Sequence, residues 1–321
     1  MTPLLEVRDL TTRFRTEGGS VLAVDGVSLH VDPGETLAIV GESGSGKSVT
    51  ALSILRLIPN PPGRIERGQI LFEGQDLLHL DSAGIQAIRG DKIAMIFQEP
   101  MSSLNPALTV GMQIAEPINT HRGTPWGKAY EAAVELMGRV HIADAARRLG
   151  SYPHQYSGGM RQRVMIAMAL ACAPRLIIAD EPTTALDVTV QAQILDLLRD
   201  VTRETGSSLV LITHDLGVVA RYADRVAVMY AGRVVETAPA RELYEQPKHP
   251  YTRGLMASVP RLEDSGRRLV PVEGQPPNLA RLPPGCSFAP RCRQALPRCV
   301  DERPMLLPVS DNHSKACFVD A

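Results

Sequence analysis

The sequence predicts an α/β fold: a mostly parallel sheet with helices on both faces, an inserted helical subdomain and a small loop-rich C-terminal piece. Three observations predict it. Short, nearly continuous apolar runs recur along the chain and read as buried parallel strands. Helical stripes separate the later runs, and strands alternating with helices bury a parallel sheet between helical layers. A glycine-rich turn ending Gly46-Lys47-Ser48 joins the first such run to a helix.

Taken in order, residues 5–10 and 21–31 alternate apolar with polar and predict half-exposed strands, with a turn at Gly18-Gly19. "ETLAIVG" (35–41) is the first buried strand; "KIAMIF" (92–97), "RLIIAD" (175–180), "SLVLIT" (208–213) and "RVAVMY" (225–230) repeat the pattern. Val188, Gln191, Ile194, Leu198 and Val201 form one helical stripe that stops at Gly206. Residues 101–156 read as helix without a strand signal, which predicts the inserted subdomain. Prolines crowd from Pro260 and Pro271 onward. The expected domains are therefore 1–258, with the helical subdomain at about 99–158, and 259–321. That second piece is short of apolar residues and is expected to need a cross-link to be ordered.

Composition sets the class. The chain has 321 residues, 44% hydrophobic and 21% charged, with a net charge of −1. This is a globular composition, and bulk charge gives no reason to expect nucleic acid as a partner. The start, "MTPLLEVRDL", lacks the basic segment and apolar core of a signal peptide. The longest apolar stretch, 164–174, falls short of the ~20 residues that span a membrane. A cytosolic setting is expected, and its reducing chemistry disfavours structural disulfides.

"GESGSGKS" (41–48) fits G-x-x-x-x-G-K-[ST]. Glycines at that spacing let backbone N–H groups turn inward around phosphate oxygens, and the following helix adds its positive end. Gly41, Ser43, Gly44, Ser45, Gly46, Lys47, Ser48 and Val49 are the candidate ATP residues; Lys47 would reach the β- and γ-phosphates and Ser48 would bind Mg²⁺. An accidental match in a chain of this length arises on the order of 1% of the time. "LIIADEP" (176–182) ends a strand on two carboxylates: Asp180 is placed to hold Mg²⁺ and Glu181 to polarise the attacking water. Alone, such a pair is a solvated strand end; beside a phosphate loop it reads as catalytic.

"YSGGMRQR" (156–163) lies just before "RLIIADEP". With "IFQEP" (96–100, holding Gln98), "ALD" (185–187) and "ITHD" (holding His214), it resembles the ATP-binding cassette (ABC) ATPases over residues 3 to about 240. The resemblance implies a P-loop NTPase with a RecA-like core, an antiparallel β subdomain and a helical insert. It implies that Phe14 stacks on adenine and that Gln98 couples the Mg²⁺ site to a membrane partner. It implies that His214 contacts the γ-phosphate and that Asp187 bridges two subunits. Ser157, Gly158 and Gly159 would contact ATP held by the opposite subunit. The family's usual Leu-Ser-Gly-Gly-Gln is here Tyr156-Ser-Gly-Gly-Met160, and an aromatic Phe14 stands where Tyr is commoner. Bland readings stand beside these: Phe14 as a core aromatic, His214 as an ordinary strand-end histidine.

"EPMSSLNPALTVGMQI", "HPYTRGL" (249–255) and the cysteine-bearing tail resemble the dipeptide/oligopeptide importer branch. That branch implies a peripheral ATPase at the cytoplasmic face of the inner membrane. Its partners would be a second cassette subunit in a heterodimer, two transmembrane permease subunits and an extracytoplasmic substrate-binding protein. Residues 101–112 resemble the surface on which the permeases dock. Nickel, glutathione, opines or sugars are alternative solutes within the same branch. A soluble cassette ATPase and a redox or metal sensor are the rival functions; one phosphate loop and no heptads count against the first.

Cys172 sits in an apolar segment and reads as a small buried residue. Cys286, Cys292, Cys299 and Cys317 cluster in the last 36 residues, with gaps of five, six and seventeen. No close pair of the zinc-ribbon kind is present, and the ferredoxin spacings are absent. The spacing leaves disulfides, metal and chance open. The resemblance to the importer branch implies one [4Fe–4S] cluster on these four thiolates, with zinc as the alternative metal.

Overall fold

The computed structural model describes residues 2–16, 18–184, 186–258 and 272–319. Ala185 of the "ALD" motif, Pro260, Pro271 and the expected boundary at 259 lie outside the described residues. In chain order the strands are β1 (Leu5–Thr16), β2 (Gly19–Val31), β3 (Thr36–Val40), β4 (Gly63–Phe72), β5 (Gln75–Asp76) and β6 (Ile93–Ile96). They continue as β7 (Leu176–Asp180), β8 (Ser208–Thr213), β9 (Arg225–Tyr230), β10 (Arg233–Pro239), β11 (Leu307–Ser310) and β12 (His313–Lys315). The chain forms two compact units. The first holds the described residues of 1–32, 36–78 and 212–321; the second holds 33–35 and 79–211.

In the first unit β2, β1, β4 and β5 make an antiparallel sheet in that order. The alternation in β1 buries Leu5, Val7 and Leu10 on one face, and β1 extends past its apolar stretch to Thr16 because β2 pairs with it that far. A second set of strands runs β11-β12-β10-β9-β3. β3 lies parallel to β9, from Leu37 opposite Arg225 to Val40 opposite Val228. Leu37, Ala38, Ile39 and Val40 are all fully buried, which explains why this strand reads as an unbroken apolar run.

The second unit pairs β6 with β7 in parallel, from Ile93 opposite Leu176 to Ile96 opposite Ala179, and β8 lies next to β7. Among the described residues, the chain between β6 and β7 is helix and turn, with longer helices at Val110–Arg122, Trp126–Arg139 and Gly158–Leu170. Cys172 follows the last of these; it is buried, and its thiol lies 3.4 Å from the Pro117 carbonyl oxygen. Burial pushes that thiol's pKa up. The helix Val188–Thr205 ends at Gly206, in the left-handed region at φ +67°. Its apolar stripe is only partly inward. Ile194, Leu198 and Val201 are buried, but Val188 is 82% exposed, because the helix starts as a capped, projecting turn on Asp187.

The tail is made of short turns, at Ala289–Arg291 and Pro297–Cys299, and two features besides its cysteines hold it to the rest of the unit. Phe288 is 5% exposed and its ring meets Tyr230 at 5.2 Å and Tyr251 at 5.4 Å between centroids. β12 pairs antiparallel with β10, and buried His313 bonds Glu236 (2.7 Å) and Glu242 (2.9 Å) through its two ring nitrogens. One buried aromatic and one added strand give this apolar-poor segment its anchor.

Candidate active site

The phosphate loop lies between β3 and the helix Lys47–Ile54 in the first unit. Two glycines shape it. A Cβ on Gly41 would come 2.2 Å from the Met229 carbonyl oxygen, so no larger residue fits. Gly46 stands at φ +102°, and a Cβ there would meet the Ala23 carbonyl oxygen at 2.4 Å. The loop thus folds tightly onto its neighbours, leaving Ser43 and Gly44 exposed at its tip. Lys47 is 4% exposed, and its Nζ donates to the carbonyls of Gly41 (2.8 Å) and Glu42 (3.1 Å). The Ser45 hydroxyl is buried without a hydrogen-bond partner. Ser48 and Val49 sit half-buried in the first helical turn. A cradle with an ammonium and a helix N-terminus at its base has the chemistry of an anion site.

In the same unit Phe14 pairs across the sheet with Gly63, whose missing side chain makes room for the ring. The ring is half-buried, so it keeps an accessible part. His214 follows the end of β8 and is exposed. Asp215 beside it caps the next helix, accepting from Gly217 N–H (2.8 Å).

The second unit carries the other candidates. Asp180 ends β7 and is 6% exposed. Glu181 adopts φ +46°, a left-handed backbone that costs a non-glycine residue about 1 kcal/mol. Strain of this kind concentrates at functional positions. Gln98 Nε2 donates to Glu181 Oε2 (3.2 Å), and Thr184 Oγ1 donates to the same oxygen (2.9 Å). One carboxylate oxygen is therefore fixed by two donors. Ser157 caps the helix Gly158–Leu170 by accepting from Met160 N–H (3.4 Å). Ser157 and Gly158 are exposed at that helix start, and a Cβ on Gly159 would press within 2.9 Å of Val190. Asp187, also exposed, accepts from Val190 N–H (3.0 Å).

Cys286, Cys292, Cys299 and Cys317 line a single small cavity in the first unit, with Phe288 and Phe318. All four are unpaired thiols. Each sulfur accepts a backbone N–H: Cys286 from Phe288 and Ala289, Cys292 from Gln294, Cys299 from Leu296 (3.4 Å) and Cys317 from Val319 (3.4 Å). Burial, and then the neighbouring cysteines, push the Cys286 and Cys292 thiols up. Among the described residues no three His, Cys, Asp or Glu converge on a single metal ion. No helix among them is long and apolar enough to cross a membrane.

Sequence reasoning missed Arg291 and Tyr251, which both touch Glu42 in the phosphate loop. Arg291 donates to the Glu42 carboxylate (2.7 and 2.9 Å), and the Glu42 N–H donates to Tyr251 Oη (2.8 Å). No local pattern marks them, since they lie 249 and 209 residues away in sequence.

Comparison with known proteins supplies the context. The family described as ABC transporter matches residues 24–184, and the oligopeptide/dipeptide transporter C-terminal region matches residues 235–299. Oligopeptide transport ATP-binding protein OppD of Bacillus subtilis (strain 168) is 54% identical over 98% of this chain and 88% of its own. A Brucella melitensis biotype 1 protein, whose name carries the words "peptide import ATP-binding protein", is 53% identical over 98% of this chain and 97% of its own. Among solved structures, the dimeric post-hydrolysis state of the ATP-binding cassette MJ0796, bound to ADP and Pi, superposes with a TM-score of 0.66. It is 30% identical and covers 74% of this chain and 99% of that one.

Proposed function

We propose, from the premise that this chain belongs to the ABC transporter ATPases and carries their oligopeptide/dipeptide C-terminal region, that it hydrolyses ATP to drive peptide import through a membrane transporter. The observation that carries the ATPase reading is the phosphate loop, held by Gly41 and Gly46 in a conformation that larger residues cannot take, with Lys47 at its base. The peptide substrate rests on the relatives named for peptide import and oligopeptide transport.

The mechanism follows from the side chains. Backbone N–H groups of 43–48 and the Lys47 ammonium hold the β- and γ-phosphates. Ser48 and Asp180 would be the residues that hold Mg²⁺, which would neutralise phosphate charge. Glu181, oriented by Gln98 and Thr184, takes the proton of the attacking water. Phe14 stacks on the base, and His214 donates to the γ-phosphate. Ser157, Gly158 and Gly159 present a helix N-terminus to ATP held by a second cassette, and Asp187 lies at that junction. Phe97 (39% exposed), Met101 (66%) and Met112 (37%) are exposed apolar side chains in and beside the 101–112 stretch that we read as the permease docking surface. On this reading the chain is a peripheral subunit at the cytoplasmic face of the membrane, working with two permeases, a second cassette and a substrate-binding protein.

The residues in the tail fit a [4Fe–4S] cluster. Four thiols around one cavity, each with an N–H donor to sulfur, match the ligand chemistry of such a cluster. Zinc on the same thiolates is the alternative metal. The cluster would tie four chain segments together at Cys286, Cys292, Cys299 and Cys317.

Proteoliposomes holding the permeases and both cassettes test the main reading. Peptide-loaded binding protein should stimulate ATP hydrolysis, and Lys47→Ala should abolish it. Turnover at the parental rate in that variant would refute the site. Anaerobically purified protein should contain about four irons per chain; one zinc and no iron would overturn the cluster.

A further inference from the structure

The phosphate loop contains an electrostatic oddity. Glu42, its second residue, carries a carboxylate beside a site built for polyanions. A negative charge at that place should repel ATP, yet the loop is otherwise arranged to attract it.

The tail resolves the conflict. Arg291 forms a bidentate pair with Glu42, at 2.7 and 2.9 Å, and the Arg291 side chain is only 5% exposed. Its remaining donors are held as well: Nε by the Glu273 carbonyl (2.8 Å), and one terminal nitrogen by the carbonyls of Val272 (3.2 Å) and Gly274 (3.4 Å). Such a forked, fully bonded guanidinium cannot swing away without breaking several hydrogen bonds. Glu42 is gripped at its main chain too. Its N–H donates to Tyr251 Oη, and its carbonyl accepts from Lys47, the ammonium aimed at phosphate. Arg291 ends the turn Ala289–Arg291, which lies between Cys286 and Cys292 and follows Phe288, buried against Tyr230 and Tyr251. Pro276, Pro277 and Leu279 of the tail line one cavity together with Ser43 and Gly44 at the loop tip.

We propose that Arg291 is a positioning residue of the nucleotide site: held by the tail, it neutralises the Glu42 carboxylate, so that tight ATP binding depends on the ordered cysteine tail. The proposal rests on the reading that this loop binds ATP. It deepens that reading by giving the tail a role in the site itself.

Titration of the full chain with unlabelled ATP, ADP and AMP, read by isothermal calorimetry, tests it on parent, Arg291→Ala, Glu42→Gln and the double variant. Arg291→Ala should weaken ATP binding about tenfold, the scale of one uncompensated charge near a polyanion. The loss should fall in the order ATP, ADP, AMP and shrink in high salt, because it is a charge effect. Glu42→Gln should bind ATP at least as tightly as the parent, and Arg291→Ala should cost it less than threefold. Weaker ATP binding by Glu42→Gln would overturn the proposal, and this holds even if Arg291→Ala fails to fold. Equal losses for ATP and AMP, carried undiminished into the double variant, would assign Arg291 a merely structural role and also overturn it. If the parent binds no ATP and matches Lys47→Ala, the nucleotide reading itself falls, and this inference with it.

Discussion

Replacing Glu181 by Gln isolates the chemical step from everything that surrounds it. The parent carboxylate accepts two hydrogen bonds on one oxygen, from Gln98 (3.2 Å) and Thr184 (2.9 Å). A carboxamide has the same shape, and its oxygen can take the Oε2 position and keep both donors. The fold should therefore change by less than about 1 kcal/mol. The left-handed backbone at 181, φ +46°, is equally strained for either residue and does not enter the difference. The proton acceptor is lost, however. General base catalysis is worth about 10²–10⁴-fold, or roughly 3–5 kcal/mol on the barrier. Single-turnover phosphate release should slow by that factor while ATP affinity stays within about twofold. The unhydrolysed ATP should also hold two cassettes together, so size-exclusion chromatography in ATP should shift toward the dimer with the partner cassette. Phosphate release above a tenth of the parental rate would refute the role of Glu181. A parallel loss of ATP affinity would show instead that the carboxylate serves binding.

Two further outcomes probe other parts of the chain. Ser157→Arg should stop turnover in the assembled dimer without weakening ATP binding to the isolated chain, at a cost of about 1 kcal/mol for the lost helix cap; matched nucleotide titrations and ATPase assays check it. His249 is 1% exposed and burial pushes its pKa down to about 4; its Nδ1 accepts from Tyr251 N–H (3.0 Å). The folded state keeps it neutral while the unfolded chain, titrating near 6.5, binds the proton. Stability is therefore present above about 6.5 and falls with pH toward 4, by about 2 kcal/mol between pH 7 and 5. Denaturant melts at those two pH values should show that drop shrinking in His249→Asn, which retains an acceptor but cannot titrate.

Much of the fold was legible because burial was continuous. The expected strands at 35–41, 92–97, 175–180, 208–213 and 225–230 correspond to β3, β6, β7, β8 and β9, with ends shifted by one residue at most. In those strands both faces are covered, so nearly all the inner positions are apolar and the polar residues sit at the ends, as at Thr36, Asp180, Ser208, Thr213 and Arg225. β10 was silent for the opposite reason. It carries Glu236, fully buried, which accepts from the N–H groups of Lys248 (2.6 Å) and His249 (3.0 Å) and bonds His313. A buried carboxylate with three partners from distant segments looks, in one dimension, like a surface residue. β4 is similar: its charged residues stand exposed beside buried Gly63, Ile70 and Phe72, with no clean alternation. The phosphate loop was readable because all its parts are consecutive. Its Arg291 partner was not, because the pairing exists only in the folded chain.

The cysteine spacing follows the same logic and leads one step further. Gaps of five, six and seventeen fit no compact metal motif, because the cysteines are not brought together by local turns alone. Cys286 is fixed by its N–H bond to the Cys299 carbonyl (2.8 Å), an approach so close that a Cβ on Gly285 would sit 2.3 Å from that oxygen. Cys292 closes the turn at Ala289–Arg291, which Phe288 pins against Tyr230 and Tyr251. Cys317 is carried in by β12, whose pairing with β10 continues as Ala316 N–H bonding the Val235 carbonyl (2.8 Å). Two of the four sulfurs are thus positioned by the cassette rather than by the tail. A peptide of the tail alone lacks β10, Tyr230 and Tyr251, so it cannot preorganise four thiols. The tail cysteines and the phosphate loop thus share Tyr230 and Tyr251 as neighbours, the first through Phe288 and the second through Glu42 and Arg291.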